Sequence, residues 1–263
     1  VVATLPVDAA GRVRAEAIGG HVAAGGADTV AVMAANNETG VVQPVDAVRT
    51  SLPAGVRLHV DAVQAPGRLD LPALAGLADT LALSAHKLGG PPGTGALVLG
   101  PDAEPTALLR GGGQERSRRA GTENLPAVAG FAAALEACLG AGDEARPGHL
   151  RDRLLAGLRD LVPDLVVFGE DAPRLANTLA VAAPGWRAET LVMAFDLAGV
   201  AVSSGAACSS GRVRRSHVLE AMGVRDELLE GMVRFSLGWS STEADIDQAL
   251  AAMTPALRRR RAA

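Results

Sequence analysis

Three apolar runs, each ending in a polar cluster, constrain the fold of this chain more than any other feature. Thr29 to Ala34 leads into Asn36-Asn37-Glu38-Thr39-Gly40, Val56 to Val60 into Asp61-Ala62-Val63-Gln64, and Thr80 to Leu83 into Ser84-Ala85-His86-Lys87. Short continuous apolar runs of this kind read as strands buried in a parallel sheet. Helical patterns separate them. Val13, Ala17, Ile18 and Val22 recur at helical spacing from Gly11 until Gly25-Gly26, a second helix follows Pro44, and a short third spans Pro72 to Ala78. Right-handed crossovers place the C-terminal ends of such strands on one edge, where open α/β sheets bind ligands. Asn36, Asp61, Gln64, Ser84, His86 and Lys87 are therefore expected to converge there.

After a strand at Ala96 to Leu99, the glycine- and arginine-rich stretch Arg110 to Asn124 has no apolar period and reads as a loop. A long alanine-rich helix, Leu125 to Leu139, runs into Gly140-Ala141-Gly142-Asp143, the best linker in the chain. Two domains are expected, residues 1–140 and 141–263. The second alternates a helix to about Leu161, strands near Leu165 to Phe168, Thr178 to Ala182, Val200 to Ser203 and Val233 to Leu237, a helix Glu189 to Leu197, and an amphipathic helix from Thr242.

The net charge of −4 provides no global basic field for nucleic acid or anionic membrane. No run approaches the roughly 18 apolar residues of a membrane span, and the expected location is the cytoplasm. Two cysteines, Cys138 and Cys208, are too few for a disulfide framework or a thiolate metal site, and no metal is expected. Gly90-Pro91-Pro92-Gly93-Thr94-Gly95 imitates a phosphate-binding P-loop. It lacks the Lys and Ser/Thr after the last glycine and opens a strand, which excludes that reading. Arg258 to Arg261 form a basic tail, read as helix-end charge.

The remaining polar groups suit an aldehyde cofactor. Lys87 supplies an amine in a corner shaped by glycine and proline, and Asp61 an acid able to keep a pyridine nitrogen protonated. Asp61 also has an ordinary reading, as a helix N-cap. Ser84 and His86 flank the lysine as phosphate donors. Cys208, in a loop of Gly, Ala and Ser, is accessible enough to act as a nucleophile, whereas Cys138 on the alanine-rich helix is assigned to packing. Arg234, inside an apolar strand, must find an anion or lie on a sheet edge.

Seven stretches, in order, resemble the motifs of cysteine desulfurases of the NifS and IscS type in the class V aminotransferase family: Asn36 to Gly40, Asp61 to Gln64, Ser84 to Lys87, Gly111 to Glu115, Ala120 to Thr122, Ser203 to Cys208 and Arg234 to Gly238. The resemblance implies an α/β fold, the type I fold of pyridoxal phosphate enzymes, with a mostly parallel large domain that is N-terminally incomplete and a smaller C-terminal domain. It implies that Lys87 holds pyridoxal phosphate and moves protons, that Asp61 pairs with the pyridine nitrogen, and that Gln64, helped by Asn36, donates to the phenolic oxygen. Ser84 and His86 would hold the phosphate, and Thr122 would reach the phosphate of the partner subunit in a homodimer. Arg234 with Asn36 would bind the carboxylate of L-cysteine. Cys208 would take the substrate sulfur as a persulfide, release L-alanine, and pass sulfur to an iron-sulfur scaffold or thiolation protein. The family's Gly-Ala-Thr phosphate loop and ring-stacking histidine are not found in this sequence. Two alternatives stand beside this reading: another class V aminotransferase or lyase, and a fragment acting only as a dimerising or sulfur-acceptor module.

Overall fold

A computed structural model describes residues 2–140, 145–205 and 215–259. The chain forms two compact units. The first comprises Val1–Ala3, Ala15–Ala34 and Pro44–Gly142, and the second Thr4–Arg14, Ala35–Gln43 and Asp143–Ala263. The division is not one cut near residue 140, because two early segments, 4–14 and 35–43, group with the later part of the chain.

In the first unit, helix α1 (Ile18–Gly25), strand β1 (Thr29–Met33), α2 (Val45–Ser51), β2 (Arg57–Asp61), α3 (Leu71–Leu77), β3 (Thr80–Ser84) and β4 (Gly95–Leu99) precede the long helix α4 (Leu125–Gly140). The sheet order is β1-β2-β3-β4. β1, β2 and β3 run parallel, with Met33 opposite Asp61 and Asp61 opposite Ala82, and β4 returns antiparallel with Gly95 opposite Ser84. The strands are buried on one face only. Val30, Val32, Leu58, Val60, Leu81 and Leu83 are buried while Met33 is exposed, so the continuous runs alternate instead of being enclosed on both sides. β4 is the most exposed strand of this sheet, with Leu97 52% and Val98 41% exposed.

Helix α1 begins later than the apolar spacing predicts. The Asp8 carboxylate accepts from the Ala10 and Arg12 amides, Gly11 takes a φ of +85°, and Val13 pairs with Val7 in an antiparallel bridge. An aspartate turn with glycine at the left-handed position competes successfully with helix nucleation here.

The second unit contains α5 (Ala145–Leu161), β5 (Val166–Val167), β6 (Thr178–Ala182), α6 (Ala188–Leu197), β7 (Ser203–Ser204), α7 (His217–Ala221), α8 (Asp226–Leu229), β8 (Val233–Ser236) and α9 (Glu243–Arg259). Its antiparallel sheet has the order β5-β6-β8-β7. Every residue of β6 is buried. Leu179 and Val181 face a core with Leu158, Phe195, Met253 and Leu257, and Ala180 and Ala182 face a second with Phe168, Leu219 and Met232. Gly40, at φ +76°, brings the 35–43 segment against Thr178, where an added Cβ would lie 2.9 Å from the threonine Cβ.

Candidate functional site

Lys87 sits in a corner closed by backbone hydrogen bonds. β3 ends at Ser84, and Ala85 to Lys87 form one 3-10 turn. The Ala85 amide donates to the Thr94 carbonyl at 3.1 Å, and the Gly90 amide donates to the Ala85 carbonyl at 2.9 Å. Gly89 and Gly93, at φ +90° and +82°, supply the left-handed residues this reversal requires. Helix α4 backs the corner with small residues one turn apart. Gly130 lies against Pro91, Ala134 against Gly90, and Cys138 against Gly67. The expected packing role of Cys138 is what the structure shows, and burial, although opposed by Arg68, pushes the thiol pKa up.

Register places Asp61 at the same sheet edge as the corner, since it pairs with Ala82, two residues before Ser84. The carboxylate is exposed, and its Oδ1 accepts from the Val63 amide at 3.0 Å. Ser84 Oγ and His86 Nδ1 share a hydrogen bond of 2.8 Å. One of the two donates to the other, so the pair keeps for a ligand either the hydroxyl proton, with Nε2 an acceptor, or the Nε2–H as donor, depending on the tautomer. Gln64 is half-buried and its Oε1 accepts from Arg68 Nη1 at 3.2 Å. Lys87 is half-buried and Thr122 is exposed in the loop before α4.

The other predicted residues belong to the second unit. Asn36 is buried, and its Oδ1 accepts from the Glu38 and Thr39 amides and from Thr39 Oγ1. That oxygen is thereby committed to fixing the turn that follows β1. Arg234 lies on β8, an interior strand. Its Nη1 donates to the Asn37 carbonyl at 2.7 Å and its Nη2 to Ser203 Oγ at 3.2 Å, while Nε is buried without a partner among the described residues. A buried guanidinium nitrogen left unpaired beside two fixed ones can receive a carboxylate. Cys208 lies outside the described residues.

Two residues that the motifs do not single out emerge. Glu38, 6% exposed, accepts a 2.6 Å hydrogen bond from Ser216 Oγ. Arg68 ties Gln64 to Lys87. Glu38 lies within the Asn36 to Gly40 stretch but is given no role there, and Arg68 lies outside every motif stretch. Among the described residues no cluster of His, Cys, Asp or Glu could hold a metal, and no helix is long and apolar enough to cross a membrane.

An amine, a carboxylate and an amide at the C-terminal edge of parallel strands match three groups of pyridoxal phosphate: the aldehyde that condenses with an amine, the pyridinium N–H that donates to a carboxylate, and the phenolic oxygen that accepts from an amide. The class is the pyridoxal phosphate enzymes of fold type I. A NifS-like protein of known structure superposes with a TM-score of 0.86 at 34% identity, covering 97% of this chain and 68% of that one. The chain belongs to the class-V aminotransferase family, whose model matches residues 1–249. A cysteine desulfurase of Cereibacter sphaeroides is 44% identical over 252 residues, 95% of this chain and 65% of that protein. The cysteine desulfurase NifS of Azotobacter vinelandii is 39% identical over 257 residues, 95% of this chain and 63% of that protein. The chain thus spans just under two thirds of the length of these relatives.

Proposed function

We propose that the chain is the greater part of a cysteine desulfurase that takes sulfur from L-cysteine and releases L-alanine, with residues 1–140, apart from the 4–14 and 35–43 segments, belonging to the cofactor domain and 141–263 to the domain carrying Cys208. The observation that carries the reading is Lys87 in a closed corner at the sheet edge that also presents Asp61. The desulfurase relatives support the choice of reaction.

Pyridoxal phosphate, when bound, supplies an electron sink at the substrate α-carbon. Lys87 holds it and shuttles protons at Nζ. Asp61 keeps the pyridine nitrogen protonated through a charge-assisted hydrogen bond. Gln64, helped by Asn36, donates to the phenolic oxygen, and Ser84 and His86 hold the phosphate. Thr122, exposed in its loop, reaches the phosphate of a partner subunit in a homodimer. The orphaned Nε of Arg234, with the Asn36 amide, orients the carboxylate of L-cysteine. The Cys208 thiolate then attacks the substrate sulfur. The new S–S bond leaves a persulfide on Cys208, and the C–S bond breaks with its electron pair retained by carbon, which takes a proton to become alanine. The persulfide sulfur passes to an acceptor protein of iron-sulfur assembly or thiolation in the cytoplasm.

Borohydride reduction followed by peptide mapping tests the first part, with cofactor mass expected on Lys87. Cys208→Ala tests the second. Sulfide release from L-cysteine should vanish while the cofactor absorbance stays, and full activity in that variant would overturn the nucleophile assignment.

A further inference from the structure

We propose that Arg68 is a positioning residue that fixes which end of the Gln64 amide faces a ligand and locks the turn after β2 onto the lysine corner. The inference rests on the reading of Lys87 and Gln64 as cofactor residues.

Nη1 of Arg68 donates to both the main-chain carbonyl and the side-chain Oε1 of Gln64, each at 3.2 Å. Nη2 donates to the Lys87 carbonyl at 3.4 Å. One guanidinium thus joins two segments that leave adjacent strand ends, a bridge for which the rigid fork of arginine is suited and the single point donor of lysine is not. The side chain is half-buried, and burial lowers its pKa, with the Cys138 behind it opposing that shift. Its hydrogen-bond acceptors among the described residues are three uncharged oxygens, an expensive arrangement for a desolvated cation.

A glutamine amide has one acceptor oxygen and one NH2 donor. With Oε1 held by Arg68, Nε2 is the end presented to a ligand, and Gln64 can serve only an acceptor atom such as a phenolic oxygen. The flipped amide would set its own donors against the guanidinium and lose the bond. Arg68 therefore chooses the polarity of a contact it does not itself make.

Two readouts test this on the full chain. Without cofactor, the side-chain amide resonances of Gln64 in a 15N-labelled sample should move in Arg68→Met, because the carbonyl of that amide loses its guanidinium donor. Unchanged resonances would overturn the proposal. With cofactor, affinities are compared for pyridoxal phosphate and its 3-deoxy analogue, which lacks the phenolic oxygen. The parent should bind about tenfold tighter than the analogue to the native chain, and Arg68→Met should erase that preference by weakening the parent alone, with Arg68→Lys recovering part of it. Equal loss for both ligands would reduce Arg68 to a structural residue and refute the proposal. If borohydride fails to fix the cofactor on Lys87 in the native chain, the cofactor reading falls, and the amide resonances still decide the role of Arg68.

Discussion

Replacing Glu38 by glutamine should remove a pH dependence from the second unit. The carboxyl is 6% exposed and accepts a 2.6 Å bond from Ser216 Oγ, itself 2% exposed and capping α7 by accepting from the Leu219 amide. Burial is the largest influence on Glu38 and raises its pKa above the ordinary 4.5, although the Ser216 hydroxyl, His217 and Arg234 pull the other way. A raised carboxyl pKa means that the folded state holds the proton more tightly than the unfolded chain. Its stabilising contribution is complete below pH 4.5 and is lost as pH rises through the folded-state value. Each tenfold difference in proton affinity between the two states is worth about 1.4 kcal/mol. Glu38→Gln keeps the acceptor for Ser216 and has nothing to ionise, so it should match the native chain near pH 4 and exceed it at pH 8. Glu38→Ala leaves the buried Ser216 hydroxyl without its acceptor and should cost about 1–3 kcal/mol at every pH. Urea unfolding followed by the emission of Trp186, 4% exposed in the same unit, reads the effect, because Trp239 is 89% exposed and water-facing before and after. Native and Glu38→Gln midpoints running parallel from pH 4 to 8 would refute the argument that burial dominates.

Two further outcomes follow from the first unit. Asp79 Oδ2 accepts from the Leu58 amide at 2.7 Å and from Arg49 at 2.8 Å, and these outweigh burial to lower its pKa from 3.8. Asp79→Ala should destabilise the unit by about 1–3 kcal/mol in urea unfolding at pH 7. In the native chain that contribution is present above pH 3.8 and fades as pH falls through the lowered value. Gly130→Leu drives a side chain into Pro91, whose Cγ is 2.6 Å from the Cβ position, at about 1–3 kcal/mol of overpacking. Cofactor uptake on Lys87 should fall while the helical circular dichroism is kept.

The parallel core of the first unit was legible because each strand ends abruptly in polar residues, and Asp61, Ser84 and Lys87 emerge at the edge that pattern implies. The family was legible for the same reason, since those ends carry its motifs. The start of α1 was misplaced because Val13 fits a helical spacing, while the Asp8 turn and Gly11 that override it act through backbone geometry. The exposure of β4 was invisible because an apolar strand sequence does not say which neighbours will cover it. The roles of Glu38 and Arg68 were not legible because their partners, Ser216 and the Lys87 carbonyl, are distant in sequence or belong to the main chain. Seven ordered motifs identify a chemistry, but they do not reveal the polar groups that aim it.

The grouping of residues 35–43 with the second unit has a consequence for how the protein is made. Glu38 meets Ser216 across 178 residues, and the Asn37 carbonyl meets Arg234 across 197. On the ribosome the early segment emerges long before Ser216 and Arg234 exist. Glu38 and the Asn37 carbonyl must wait for these partners until β8 has been synthesised. The second unit is thus finished by residues made well before its own strands, and a chain whose synthesis halted before Val233 would leave the Asn37 carbonyl without its arginine.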